Sequence, residues 1–90
     1  MSIRINLPSY FLPYTSEQAV LEVKGSTVGE CLKQLVRQFP ELEKMVFDRE
    51  GNLHTYVGIY VNGEDAFPQQ LAKPVKDNDE IHILYLIAGG

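Results

Sequence analysis

Residues 27–39 constrain the fold more than any other part of this chain. Thr27-Val28-Gly29-Glu30 carries the S/T-x-x-E pattern of a capping box. In that pattern the Thr27 hydroxyl accepts from a free amide of the first turn, while Glu30 reaches back to the Thr27 N–H. Val28, Cys31, Leu32, Leu35, Val36 and Phe39 then recur at three- and four-residue spacing, leaving Lys33, Gln34, Arg37 and Gln38 outward. Pro40 closes a helix of about three turns. Residues Glu41 to Phe47 add a short amphipathic turn with Leu42, Met45 and Val46 inward. One helix with one apolar stripe needs a sheet face to cover it.

Strand-forming segments supply that face. Ile3, Ile5 and Leu7 alternate with Arg4 and Asn6 until Pro8 ends the run. The apolar connection Pro8-Ser9-Tyr10-Phe11-Leu12-Pro13-Tyr14 reads as an extended loop that packs on the body. A second strand is expected at about Ala19 to Lys24, with Leu21 and Val23 opposite Glu22, before Gly25 and Ser26 turn the chain. Asp48 to Asn52 is a polar loop. The strongest strand is His54 to Val61, with Thr55, Val57, Ile59 and Val61 on one face and His54, Tyr56, Gly58 and Tyr60 on the other. Asn62-Gly63 is a tight turn, Phe67 and Leu71 anchor a short irregular passage, and Asp77 to Glu80 is a second turn. Ile81 to Ile87 is the last strand, with Ile81 and Ile83 inward. The order strand, strand, helix, strand, passage, strand requires the last strand to lie inside the sheet beside the first. That is the β-grasp, or ubiquitin-like, roll: an α+β fold of four to five strands on one main helix, ending in a flexible Gly-Gly tail over 87–90.

Composition narrows the function. Ninety residues make one domain, 1–90, and 44% hydrophobic with 22% charged residues is ordinary globular usage. Eight Lys and Arg against twelve Asp and Glu give a net charge of −4, which argues against nucleic acid and lends nothing to an anionic membrane surface. The start lacks the apolar stretch of a signal peptide, and no apolar run approaches a bilayer span. A single cysteine, Cys31, excludes an internal disulfide and a multi-thiolate zinc site, and fits the cytoplasm. With two histidines and no tryptophan, the side chains for self-contained catalysis are few, so no enzyme activity, bound cofactor or metal is expected.

The chain ends Ile87-Ala88-Gly89-Gly90. Two terminal glycines arise by chance in roughly one chain in two hundred, a modest signal that gains weight directly after the last strand of such a roll. A carboxylate is inert to nucleophiles until activated, for instance as an acyl-adenylate, and another protein must do this in a narrow active site. Glycine has no Cβ to clash there and reaches backbone angles closed to other residues. Leu84 and Leu86 fall on the strand face opposite Ile81 and Ile83 and, if uncovered, form with Ile87 and Ala88 an apolar partner-binding patch beside the tail, joined by Tyr56 or Tyr60. The competing reading is that the loop with Tyr10 and Phe11 covers them.

The ending LYLIAGG is similar to the termini of the MoaD/ThiS family of sulfur carriers. Pro74-Val75-Lys76-Asp77-Asn78-Asp79-Glu80-Ile81 resembles that family's P-V/L-x-D-G-D-E-V turn, with Asn78 where glycine is usual, and Ile59-Tyr60-Val61-Asn62-Gly63-Glu64 resembles its central strand and turn. Asparagine is the next-best residue for a left-handed turn position. LPSYFLPYTSEQ and GNLHTYVGIYVNGED look most like the CysO type, although Tyr85 stands where that type commonly has proline and the ending is closer to thiamin-type (ThiS) carriers.

The resemblance implies a carrier whose Gly90 carboxylate is adenylated with ATP by an E1-like adenylyltransferase and converted to a thiocarboxylate, with Gly89 giving access. The recipient would be a cysteine synthase, the large subunit of a molybdopterin synthase (MoaD type) or a thiazole synthase, and the free carrier would be monomeric. A ubiquitin-like modifier conjugated through Gly90 is the alternative from another class, and an interaction module with incidental glycines is a third. Cys31 reads as a small core residue rather than a sulfur-bearing thiol. His54 and His82 read as sheet-surface residues. Glu64-Asp65 and Asp77-Asp79-Glu80 read as solvated turns that alternatively meet a basic surface on the activating enzyme.

Overall fold

Alternation near both ends of the chain builds the middle of the sheet. In the computed structural model, which describes residues 2–86, β1 (Ile3–Asn6) and β5 (Glu80–Tyr85) lie side by side and parallel, pairing Arg4 with Glu80, Ile5 with Ile81 and Asn6 with His82. β2 (Val20–Val23) joins β1 antiparallel, and β3 (Val57–Val61) joins the other edge of β5. β4 (Glu64–Asp65) closes an order of β2-β1-β5-β3-β4. This is the expected mixed, five-stranded roll.

Ile3, Ile5, Ile81 and Ile83 point from the two central strands into the core and are essentially inaccessible. Opposite them lies α1 (Val28–Gln38), which buries Val28, Cys31, Leu32 and Leu35, with Val36 and Phe39 packed at the margin. Full burial of each such aliphatic side chain contributes about 1.5–3 kcal/mol. The short α2 (Glu43–Val46) follows a 3-10 turn at Pro40–Leu42 and adds Leu42 and Val46.

Several details depart from the expectations. Pro8 to Tyr14 is not extended: Ser9–Tyr14 forms a 3-10 helix, with Pro8 extended before it and Pro13 inside it. Proline's fixed φ suits such a helix as well as a loop, and burial of Phe11 settles which forms. The central strand begins at Val57 rather than His54, because the His54 amide donates to the Val46 carbonyl and its own carbonyl closes a turn with the Val57 amide. Phe67 is 70% exposed rather than an anchor; Ala66 takes the buried place, and the Phe67 amide donates to the Asp65 carboxylate. Leu71 does pack against the core margin. The last strand ends at Tyr85, and Ile87 lies outside the described residues.

At the start of α1 the Thr27 hydroxyl accepts from the Glu30 amide at 3.1 Å, as the sequence pattern predicts. The Glu30 carboxylate instead accepts from the amide and hydroxyl of Ser26, at 2.8 and 2.9 Å. The segment Lys73–Val75 runs against this corner, its Lys73 carbonyl accepting from Val28 and its Val75 amide donating to Ser26. Tertiary bonds therefore occupy the helix start from one side, which a local pattern cannot register.

Two turns lock the far end of β5. Asn62 and Gly63 both have positive φ, 52° and 85°, the geometry of a tight hairpin turn, and Asn78 has φ 73°. Asn62 Nδ2 donates to Asp79 Oδ1 at 2.9 Å, while its Oδ1 accepts from the Glu80 amide at 2.9 Å. Asp79 Oδ2 accepts from the Lys76 amide. Asp79 is thus buried and bonded, not a solvated turn residue. The Asn62 amide, and after it the Lys76 N–H, hold its carboxyl below the ordinary carboxylate range. A carboxyl depressed in the folded state stabilises above its unfolded pKa of about 4 and stops doing so as pH falls through the lower folded value. Asp79→Ala should therefore cost about 1–3 kcal/mol in urea unfolding at pH 7, and its deficit relative to the parent should shrink as pH falls below about 4.

Candidate functional site

Strand parity divides the end of β5 between two surfaces. Ile81, Ile83 and Tyr85 face the helix side, and His82 and Leu84 face the open side of the sheet. On the open side Leu84 lies opposite Gly58, and His82 lies between Asn6 and Tyr60. A Cβ on Gly58 would sit 3.6 Å from Leu84 Cβ and 4.0 Å from the Tyr60 ring. With hydrogen there instead, a shallow apolar strip runs from Leu84 across Gly58 to Tyr60. Leu84 is 41% and Leu86 62% exposed, so these two members of the expected patch are uncovered, while Ile87 and Ala88 lie outside the described residues. Tyr60 joins it. Tyr56 does not, because its ring turns to meet Tyr85 edge-on at 5.3 Å.

The 3-10 helix of the competing reading packs on Tyr85 and leaves Leu84 uncovered. Tyr10 lies at 5.2 Å from the Tyr85 ring, and Phe11 meets it in a T-shaped contact at 5.0 Å. Tyr56 in turn stacks on His54 at 4.7 Å, and His54 Nε2 bonds the Lys44 carbonyl at 2.9 Å. Burial, and then the neighbouring Tyr56, push the Tyr85 phenol above its ordinary pKa. The Leu86 amide donates to the Tyr56 carbonyl at 2.7 Å. This knot of rings was not singled out from the sequence; its members are widely separated there, and only Phe11 and the density of tyrosines hint at it.

Ile87, Ala88, Gly89 and Gly90 lie outside the described residues. They follow Leu86 directly in the sequence, two residues after the exposed Leu84 of β5. The acidic turns sit at the other end: Glu80 opens β5, and Asn62 ties the two turns together there. Arg4 reaches Glu80 at 3.5 Å across the open face, an exposed pair of small energetic weight. His54 lies outside β3 and His82 within β5, so the two do not meet. Among the described residues, no three His, Cys, Asp or Glu side chains gather where a metal ion would be held. No helix among them is long and apolar enough to cross a membrane.

A model of the ThiS family matches residues 6–90. The chain belongs to the ThiS family. It is 32% identical to the sulfur carrier protein CysO of Mycobacterium tuberculosis over 93 residues, covering all of both chains. Among solved structures it is similar to the CysO chain of the Amycolatopsis orientalis BexX/CysO complex, with TM-score 0.88 and 30% identity over 98% of this chain and 99% of that one. It is also similar to small archaeal modifier protein 1 (SAMP1) of Haloferax volcanii, with TM-score 0.87 and 27% identity over the whole of both chains.

Cys31 is fully enclosed in the core, and burial, with a smaller contribution from Glu30, pushes its thiol up to about 11. It is a packing residue. Relative to a cysteine at its ordinary value, the thiolate fraction near neutral pH is lower by about a hundredfold. Titration with an aromatic disulfide reagent at pH 7.5 should therefore leave Cys31 unreacted on the timescale that labels the urea-unfolded chain completely.

Proposed function

We propose that this chain is a sulfur carrier of the CysO kind, working through its terminal glycine. The full-length likeness to CysO carries the reading, and the apolar strip leading toward the diglycine supports it. Leu84 and Leu86, continued by Ile87 and Ala88, would dock the activating partner, an E1-like adenylyltransferase. A Gly90 carboxylate oxygen attacks the α-phosphorus of ATP on that partner, pyrophosphate leaves, and an acyl-adenylate forms. A sulfide-level donor then adds at the carbonyl carbon, AMP departs, and the terminus becomes a thiocarboxylate.

That sulfur is nucleophilic and readily ionised, so it transfers to an electrophilic acceptor on a recipient synthase. The A. orientalis relative forms a complex with a second protein, BexX, which supports docking of this kind. We take the recipient to be a cysteine synthase before a molybdopterin or thiazole synthase. The carrier binds no cofactor itself, works as a monomer in the cytoplasm and is a substrate for enzymes rather than a catalyst. Gly89 keeps the approach to Gly90 free of side chains.

The likeness to small archaeal modifier protein 1 supports a second reading, conjugation of Gly90 to lysines on other proteins. Intact-mass measurement after incubation with an E1-like enzyme, ATP and sulfide should show one oxygen of the chain replaced by sulfur. Removing Gly90 should abolish that change while leaving thermal unfolding unaltered, since a terminal residue contributes little packing. Gly-Gly remnants on lysines in place of thiocarboxylate would decide for the modifier. Leu84→Asp should lower the rate of activation about tenfold or more by placing a charge in the docking strip.

A further inference from the structure

The end of β5 is held differently from its beginning. Over Glu80–His82 the strand is paired by β1, but β1 stops at Asn6, and from Ile83 to Tyr85 only β3 remains beside it. Where the β1 ladder runs out, the 3-10 helix that follows β1 brings Tyr10 and Phe11 onto the Tyr85 ring. From the other side Tyr56 meets the same ring, and its carbonyl takes the Leu86 amide at 2.7 Å. Two segments distant in sequence thus converge on the last residue of the strand that carries the chain toward its terminus.

The support beneath these rings is rigid. Phe11 is fully buried, and the 3-10 helix is closed at its end by Thr15, itself fully buried, whose hydroxyl bonds the Gln18 carbonyl at 2.9 Å. Tyr56 stacks on His54, which is bonded to the carbonyls of Lys44 and, through its amide, Val46. Aromatic pairs contribute about 0.5–1.5 kcal/mol each beyond area burial, so the two edge-to-face contacts and the tilted Tyr10 contact on Tyr85 together outweigh what one terminal strand bond supplies.

We propose that Tyr85, clamped by Tyr10, Phe11 and Tyr56, is a positioning residue that fixes the point and direction at which the terminal segment leaves the sheet. This inference rests on the carrier reading for its functional consequence, not for its structural one. With Leu86 anchored, four residues remain beyond it, a contour of at most about 14 Å. If the strand peels back to Ile83, the next fully packed residue, seven remain and the contour grows to about 24 Å. The volume within reach of the terminal carboxylate then rises about fivefold, with the cube of that length. A partner that docks on Leu84 and acts at the terminus meets the carboxylate correspondingly less often, while docking itself is untouched.

Amide hydrogen exchange on the full chain tests the anchor without any partner. Tyr85→Ala should speed exchange at Leu86 about tenfold or more while Ile81 and Ile83 keep their protection. Tyr85→Phe, which keeps the ring, should restore the parent rate. Tyr10→Ala changes a half-exposed residue, and it should speed Leu86 exchange in the same direction, so the test survives if Tyr85→Ala does not fold. Unchanged Leu86 exchange in a folded Tyr85→Ala or Tyr10→Ala protein overturns the clamp.

Steady-state kinetics with the adenylating enzyme tests the consequence. Tyr85→Ala, or Tyr10→Ala in its place, should lower kcat by about fivefold with KM for the carrier unchanged, and Tyr85→Phe should behave as the parent. A rise in KM at constant kcat would make Tyr85 part of the docking surface and overturn the positioning role, as would parent kinetics. If the parent chain is not adenylated at all, the carrier reading fails instead, and exchange at Leu86 still decides the clamp.

Discussion

The parallel pairing of β1 with β5 is the contact on which the rest of the molecule depends. It joins two segments at opposite ends of the chain and stacks Ile3 and Ile5 beside Ile81 and Ile83 under the helix. A parallel pair cannot be closed by a hairpin, so everything between must form the crossover that returns to the sheet. α1 belongs to that crossover and covers the isoleucines it returns to. Because β5 is central, with β1 on one edge and β3 on the other, its position is set by the core rather than by an exposed edge.

From that placement the two surfaces follow by parity alone. Core-facing residues of β5 end in Tyr85, and open-face residues end in Leu84, one position away. The same strand therefore presents an exposed apolar side chain on one face and a packed ring on the other, without either using the other's space. Gly58 keeps the strip open by giving Leu84 and Tyr60 no side chain between them. At the opposite end of β5 the Asn62–Asp79 bond joins two turns that are only sequence neighbours of their own strands. The open face thus has an apolar end next to the terminal segment and a polar, acidic end away from it.

Much of this was legible from residues. Period-two alternation gave the core faces of β1, β2 and β5, the Thr27 cap placed the start of α1, and the Asn62-Gly63 pair and Asn78 announced left-handed turns that the backbone adopts. The errors share one cause. His54 to Tyr56 alternates well enough for a strand but is bent by bonds to α2, Glu30 bonds Ser26 because another segment lies against the cap, and Phe67 yields its place to Ala66. In each case a long-range contact overrode a local preference, and local patterns contain no term for such contacts.

For the functional end of the molecule the division is similar. Sequence by itself determined the fold class, the family, the diglycine ending and the face on which Leu84 and Leu86 lie, because these follow from residue type, order and strand parity. Only the tertiary structure decided that the 3-10 helix packs on Tyr85 and leaves Leu84 uncovered, and that Tyr10, Phe11 and Tyr56 meet at one ring. An apolar loop can cover either face of a sheet. Which face it takes depends on where the neighbouring strand ends, and β1 ends at Asn6.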